Sequence, residues 1–184
     1  MLIIQLKILD IMNLMKFILQ VIVFIIIFLM GLIPAVIVHE GILKSYEDRA
    51  VAVRTTDVQT QLKIIANHLI TYNYLQDTSN EVINAEIEQL ANLYSGRVLI
   101  VNNNLKVVKD TYSISEGKTI ISEEVIKCLK GSSSTNYDAV HGFIEVTVPI
   151  VETISAQMAT EDMPEGTEIV KGVMLTSVST DYIV

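Results

Sequence analysis

The sequence predicts an α+β chain: an N-terminal transmembrane helix continuing into a long helix, then a domain with a five-stranded antiparallel sheet and helices on one face. Three observations carry this expectation. An uncharged apolar run lies near the N-terminus, a helical stripe of apolar residues follows it, and the periodicity later changes from helical to alternating.

Phe17 to Val38 is a run of 22 residues without a formal charge. As a helix it spans roughly 33 Å, enough for a hydrocarbon core of about 30 Å. Seventeen of these residues are Ile, Leu, Val or Phe, an insertion term on the order of −5 to −10 kcal/mol. Gln20, Gly31 and Pro34 do not cancel it. A cleaved signal peptide has a shorter apolar region, about 7–15 residues, ending at a small-x-small site. Here Ala35 is followed by Val36 and Ile37, so the run reads as an uncleaved anchor. Pro34 sits near its outer end, where a kink does least harm to the span.

Lys16 abuts the run on one side and Glu40 lies just past the other, which places residues 1–16 in the cytoplasm and residues 39–184 outside it. Charge counted more widely is balanced, because Lys44, Arg49 and Arg54 answer Lys7 and Lys16. The chain carries −8, and residues 1–16 contribute +1 from Lys7, Lys16 and Asp10, leaving −9 for residues 39–184. A domain this acidic disfavours nucleic acid as a partner. The lone Cys128 excludes an intramolecular disulfide and a cysteine zinc site, and His39, His68 and His141 have no second ligand at metal spacing. With 6% aromatic residues and no Trp, the core is expected to be aliphatic.

After the anchor, Val51, Thr55, Val58, Leu62, Ile65, Leu69 and Tyr72 repeat at alternating spacings of 4 and 3, one stripe of a long helix. The stripe is either a dimer seam that passes movement to the membrane or the face packed on the domain's own sheet; Ile64, Ala66 and Ile70 widen it enough for both contacts. A second helix is expected from a capping box at Thr78 and Glu81, with Ile83, Ile87, Leu90 and Tyr94 on one face and Gly96 as its stop. Arg97–Asn102 and Leu105–Asp110 then read as a hairpin turning at Asn103-Asn104. A short helix runs from Ser122 to Lys130, with Glu123 and Glu124 at its positive end and Gly131 after it. Residues 131–136 read as a loop, Tyr137–Val140 and Phe143–Val151 as a second hairpin about His141-Gly142, Glu152–Thr167 as a loop, and Glu168–Thr180 as a long last strand.

Val98-Leu99-Ile100-Val101-Asn102, then Val107-Val108-Lys109-Asp110-Thr111, then Ile121 to Gly131 resemble the extracytoplasmic PAS-like sensor domains of bacterial sensor histidine kinases. Tyr137 to Ile150 and Lys171 to Ser179 stand where those domains place their last three strands. The resemblance implies a membrane helix, an external PAS-like sensor domain, a second membrane helix, and a cytoplasmic dimerisation and ATP-binding core. The chain carries no second apolar run, no ATP-binding box and, at His39-Glu40-Gly41, no phosphorylated-histidine motif. Ending at Asp181-Tyr182-Ile183-Val184 straight out of a strand, it is expected to be the N-terminal part of a longer kinase. By itself the chain is not expected to be an enzyme. No cofactor is expected in it, with ATP and Mg assigned to the kinase core. The implied partners are the membrane, a second copy, an unknown extracellular signal and a response regulator. Within that frame Val51, Val58, Leu62, Ile65, Leu69 and Tyr72 are the signalling-helix stripe.

Other chemistry is weaker. Gly117-Lys118-Thr119 resembles the end of a phosphate loop, but Tyr112 stands where its first Gly belongs. Glu161, Asp162, Glu165 and Glu168 lack the spacing of a calcium loop and read as a solvated charge run. Cys128 reads as a core residue of its helix, and Ser132–Ser134 are not a nucleophile elbow. The alternatives to a kinase sensor are the sensor domain of a chemoreceptor or a cyclic-dinucleotide enzyme, which share this external architecture, and a pilin-like structural subunit. The last needs a processing motif, whereas Gly31 is followed by Leu32, Ile33 and Pro34.

Overall fold

A computed structural model describes residues 2–160 and 162–180, with the side chains of residues 2–10 left undescribed. Glu161 of the acidic run and the ending Asp181–Val184 lie outside the described residues. The chain divides into two compact units, Met1–Asp48 and Arg49–Val184. The described residues of the first lie in helix α1, Leu2–Thr71, with Pro34 inside it. From Ile11 to Val38 its large apolar side chains are exposed, a surface that water penalises and lipid does not. Among the described residues α1 alone is long and apolar enough to cross a membrane.

In the second unit the stripe on α1 is the domain's own core. Val51, Val58, Leu62, Ile65 and Leu69 are buried in one cluster with Ile83, Ile87 and Leu90 and with Val98, Ile100, Ile144, Val146, Val148, Ile150 and Met174. Tyr72 departs from the expected stripe and is 53% exposed. The reason is the helix end: Asn73 turns left-handed (φ 52°), and the N–H groups of Asn73 and Tyr74 donate to the carbonyls of Ile70 and Leu69. This reversal puts Tyr74 into the core in place of Tyr72.

Helix α2, Glu81–Leu93, is capped at Asn80, whose side chain accepts from Val82 and Ile83. The expected Thr78–Glu81 box does not form, because Asn80 satisfies those donors from the N-cap position. Ser95 (φ 49°), not Gly96, takes the left-handed position after the helix. Gly96 instead opens strand β1, where a Cβ would strike the carbonyl of Ser177. Helix α3, Glu123–Leu129, forms as expected: Ser122 caps it, and Gly131 (φ 91°) reverses the chain.

Strands β1 (Gly96–Asn102), β2 (Val107–Asp110), β3 (Ser134–Asp138), β4 (Phe143–Thr153) and β5 (Glu168–Ser179) form one antiparallel sheet in the order β2-β1-β5-β4-β3. The first hairpin turns differently from expectation, since Leu105 rather than an asparagine holds the positive φ of 62°. Asn102 accepts from the N–H groups of Asn104 and Lys106, and Leu105 is thereby delivered to a second apolar cluster. β3 starts at Ser134, within the expected loop, because Ser134, Thr135 and Asn136 pair with Thr147, Val146 and Glu145 as a polar edge.

The long helices lie on one face of the sheet, as expected. The short α3 takes the other: Val125 and Cys128 pack on Leu99, Val101, Val107 and Val173, residues that alternate with the first-face set along β1 and β5.

Candidate functional site

α3 has seven residues and covers only part of the second face. The rest is open as a groove of about 420 Å³. Its floor is Leu99 and Leu175, and its walls come from Arg97 and Tyr112 on one side and Phe143 and Glu145 on the other. Register places three of its polar members in one row across three strands, Glu145 facing Ser177 and Ser177 facing Arg97, with Asn136 of β3 opposite Glu145 beyond them.

Arg97 is already engaged. Its Nε and Nη2 donate to the two carboxylate oxygens of Asp110 at 2.9 and 2.6 Å, and Nη2 also donates to Ser115 Oγ. The guanidinium lies 5.5 Å from the centre of the Tyr112 ring. Asp110 is fully buried and also accepts from the backbone N–H groups of Tyr112, Ile114 and Ser115. The bonds from Arg97 first, and then those from the backbone, outweigh burial and hold the Asp110 carboxyl far below its ordinary range. The pair thus shapes the loop after β2 and itself adds little net charge to the groove. His141 at the rim is bonded to Asp138 at 2.8 Å, and its ring centre lies 6.2 Å from that of Phe143 with the planes tilted by 34°. Glu145, partly buried, has no hydrogen-bond or ion-pair partner among the described residues.

The sequence-derived candidates lie elsewhere. The stripe Val51, Val58, Leu62, Ile65, Leu69 is on the opposite face, and Tyr72 is at the end of α1. A smaller groove of about 230 Å³ lies between α1 and α2, where His68 bonds Glu86 at 2.8 Å. Gly117-Lys118-Thr119 is tied to β2 through the Val107 N–H and the Lys118 carbonyl, and Asp162, Glu165 and Glu168 are exposed. Cys128 is buried, and burial pushes its thiol up to about 12, which disfavours the reactive thiolate. Among the described residues no His, Cys, Asp and Glu converge as a metal site. The groove residues were missed because their meeting depends on strand register. One signal was available: an acidic residue, Glu145, in the middle of an otherwise strand-forming run.

No family model and no curated relative matches this chain. Among solved structures, the sensor domain of E. coli DcuS is 12% identical, with 76% of this chain and 95% of that chain covered at a TM-score of 0.49. The sensor domain of the V. cholerae histidine kinase DctB is 13% identical, with 76% and 55% covered at a TM-score of 0.50. The likeness to the DctB domain is one of fold. The second unit of this chain has the PAS-like sensor-domain fold.

Proposed function

We propose that this chain is the signal-sensing portion of a two-component sensor histidine kinase. It detects an extracellular or envelope signal and transmits it across the membrane to control autophosphorylation and phosphotransfer to a response regulator. One observation carries the reading: a single helix, α1, contains both the membrane-length apolar segment and the stripe that forms the core of a PAS-like domain. A change in the sheet therefore has a covalent path to the bilayer, and shifts of roughly 1–2 Å suffice for such transmission. Residues 1–16 are the cytoplasmic tail and 17–38 the span, and ATP and Mg are handled by a cytoplasmic core beyond Val184. Homodimer pairing uses the side of α1 left free by the core, where Val53 and Ile64 are exposed.

Two measurements test this. Met163 is exposed, and Met163→Cys should react with a membrane-impermeant maleimide in spheroplasts while buried Cys128 stays silent; labelling only after permeabilisation overturns the orientation. The product of the full reading frame, given ATP and Mg, should phosphorylate itself on histidine. A chemoreceptor or cyclic-dinucleotide module in that place, or a stop after Val184, overturns the kinase.

A further inference from the structure

We propose that the open half of the sheet's second face binds a small organic cation, an amine or quaternary ammonium ion, with Glu145 as its counter-charge and Phe143 as its aromatic wall. This rests on the sensor reading and names the ligand class of that groove.

The charges decide the class. Arg97 and His141 line the groove, but each is held by its own carboxylate, Asp110 and Asp138. Glu145 has no such partner among the described residues, faces the uncharged Asn136 and Ser177 across the strands, and so gives the groove its uncompensated charge. Phe143, two residues earlier on the same strand, lines the same groove. A carboxylate beside an aromatic face over an aliphatic floor is complementary to a cation with an apolar body. The −9 charge of residues 39–184 draws cations toward the domain and repels anions. An anionic ligand in this groove would meet Glu145 directly.

The test titrates choline, phenethylammonium and succinate into the full chain in nanodiscs by calorimetry. At least one of the two cations should bind and succinate should not. Glu145→Gln should weaken that binding about tenfold, the loss expected for one charged contact. Ser177→Lys puts an ammonium directly opposite Glu145 and should abolish binding with the melting temperature unchanged or raised. The second variant keeps the test intact if Glu145→Gln folds poorly. Binding of neither cation, binding of succinate in their place, or cation binding indifferent to Ser177→Lys overturns the proposal. Maleimide labelling and autophosphorylation use no ligand, so the sensor reading stands or falls separately.

Discussion

The two faces of the sheet are built from the same five strands and are finished differently. The first is closed by α1 and α2 over a continuous, mostly aliphatic cluster, with Val58, Leu62, Leu69, Ile83 and Ile87 wholly buried. The second has only α3, a small cluster around Val125 and Cys128, and beyond it a polar row in an open groove. Burial on the first face makes it a rigid support. A groove on the second face is then available to a ligand at little cost to the fold, because it removes few apolar contacts. The contrast also separates roles along α1 of the second unit: its inward side holds the sheet, and its outward side is free.

The largest expected effect lies on the closed face. Leu62→Ala deletes a fully buried side chain between α1 and the sheet and should cost about 2–5 kcal/mol in denaturant unfolding. A loss under about 1 kcal/mol would mean that the first face is not the stabilising one.

Next is the charged knot beside the groove. Asp110→Ala removes the carboxylate partner of Arg97 and leaves three backbone N–H groups without their acceptor. A loss of about 2–3 kcal/mol is expected, below the full value for a buried pair because Arg97 is partly exposed. The sign with pH follows from the depressed carboxyl. Its stabilisation is complete above the ordinary carboxylate range near pH 4, and it declines as pH falls below that range toward the lowered folded value. Asp110→Asn should flatten that acid limb, and an unchanged limb would assign acid unfolding to other groups.

A smaller effect tests the covered part of the second face. Cys128→Ser buries a hydroxyl under α3 and should cost about 1–2 kcal/mol. The native thiol should be inert to a soluble disulfide reagent at pH 8 and react on unfolding; ready reaction of the folded protein would mean that α3 opens.

The smallest effect belongs to the outward side of α1. Val53→Ser and Ile64→Ser alter exposed side chains and should change domain stability by less than about 0.5 kcal/mol. Under the homodimer reading they should lower crosslinking between copies, and unchanged crosslinking would place the seam elsewhere.

Local rules made many elements legible. Ser122 and Gly131 mark the ends of α3 by capping chemistry alone, and the spacing from Val51 to Leu69 marks a helix with one buried side. Local rules failed where two residues of similar competence compete. Asn80 captured the N-cap from Thr78, Ser95 the left-handed position from Gly96, and Leu105 that of the hairpin, because packing of Leu105 against the second cluster outweighs its backbone cost of about 1–2 kcal/mol. The candidate site was less legible still. Arg97 and Asp110 stand 13 positions apart, and Glu145 and Ser177 are joined only by the pairing of β4 with β5.

By itself the sequence determined the membrane-length apolar run, the order of helices and strands, and the acidity of the domain, since these depend on composition and near-neighbour periodicity. Only the tertiary structure decided that the α1 stripe is core and that α3 takes the opposite face. It likewise decided that Arg97 is paired with Asp110 while Glu145 has no partner among the described residues. The physical reason is strand register: which charges meet depends on pairings between distant segments, and a shift of one residue would send each side chain to the other face.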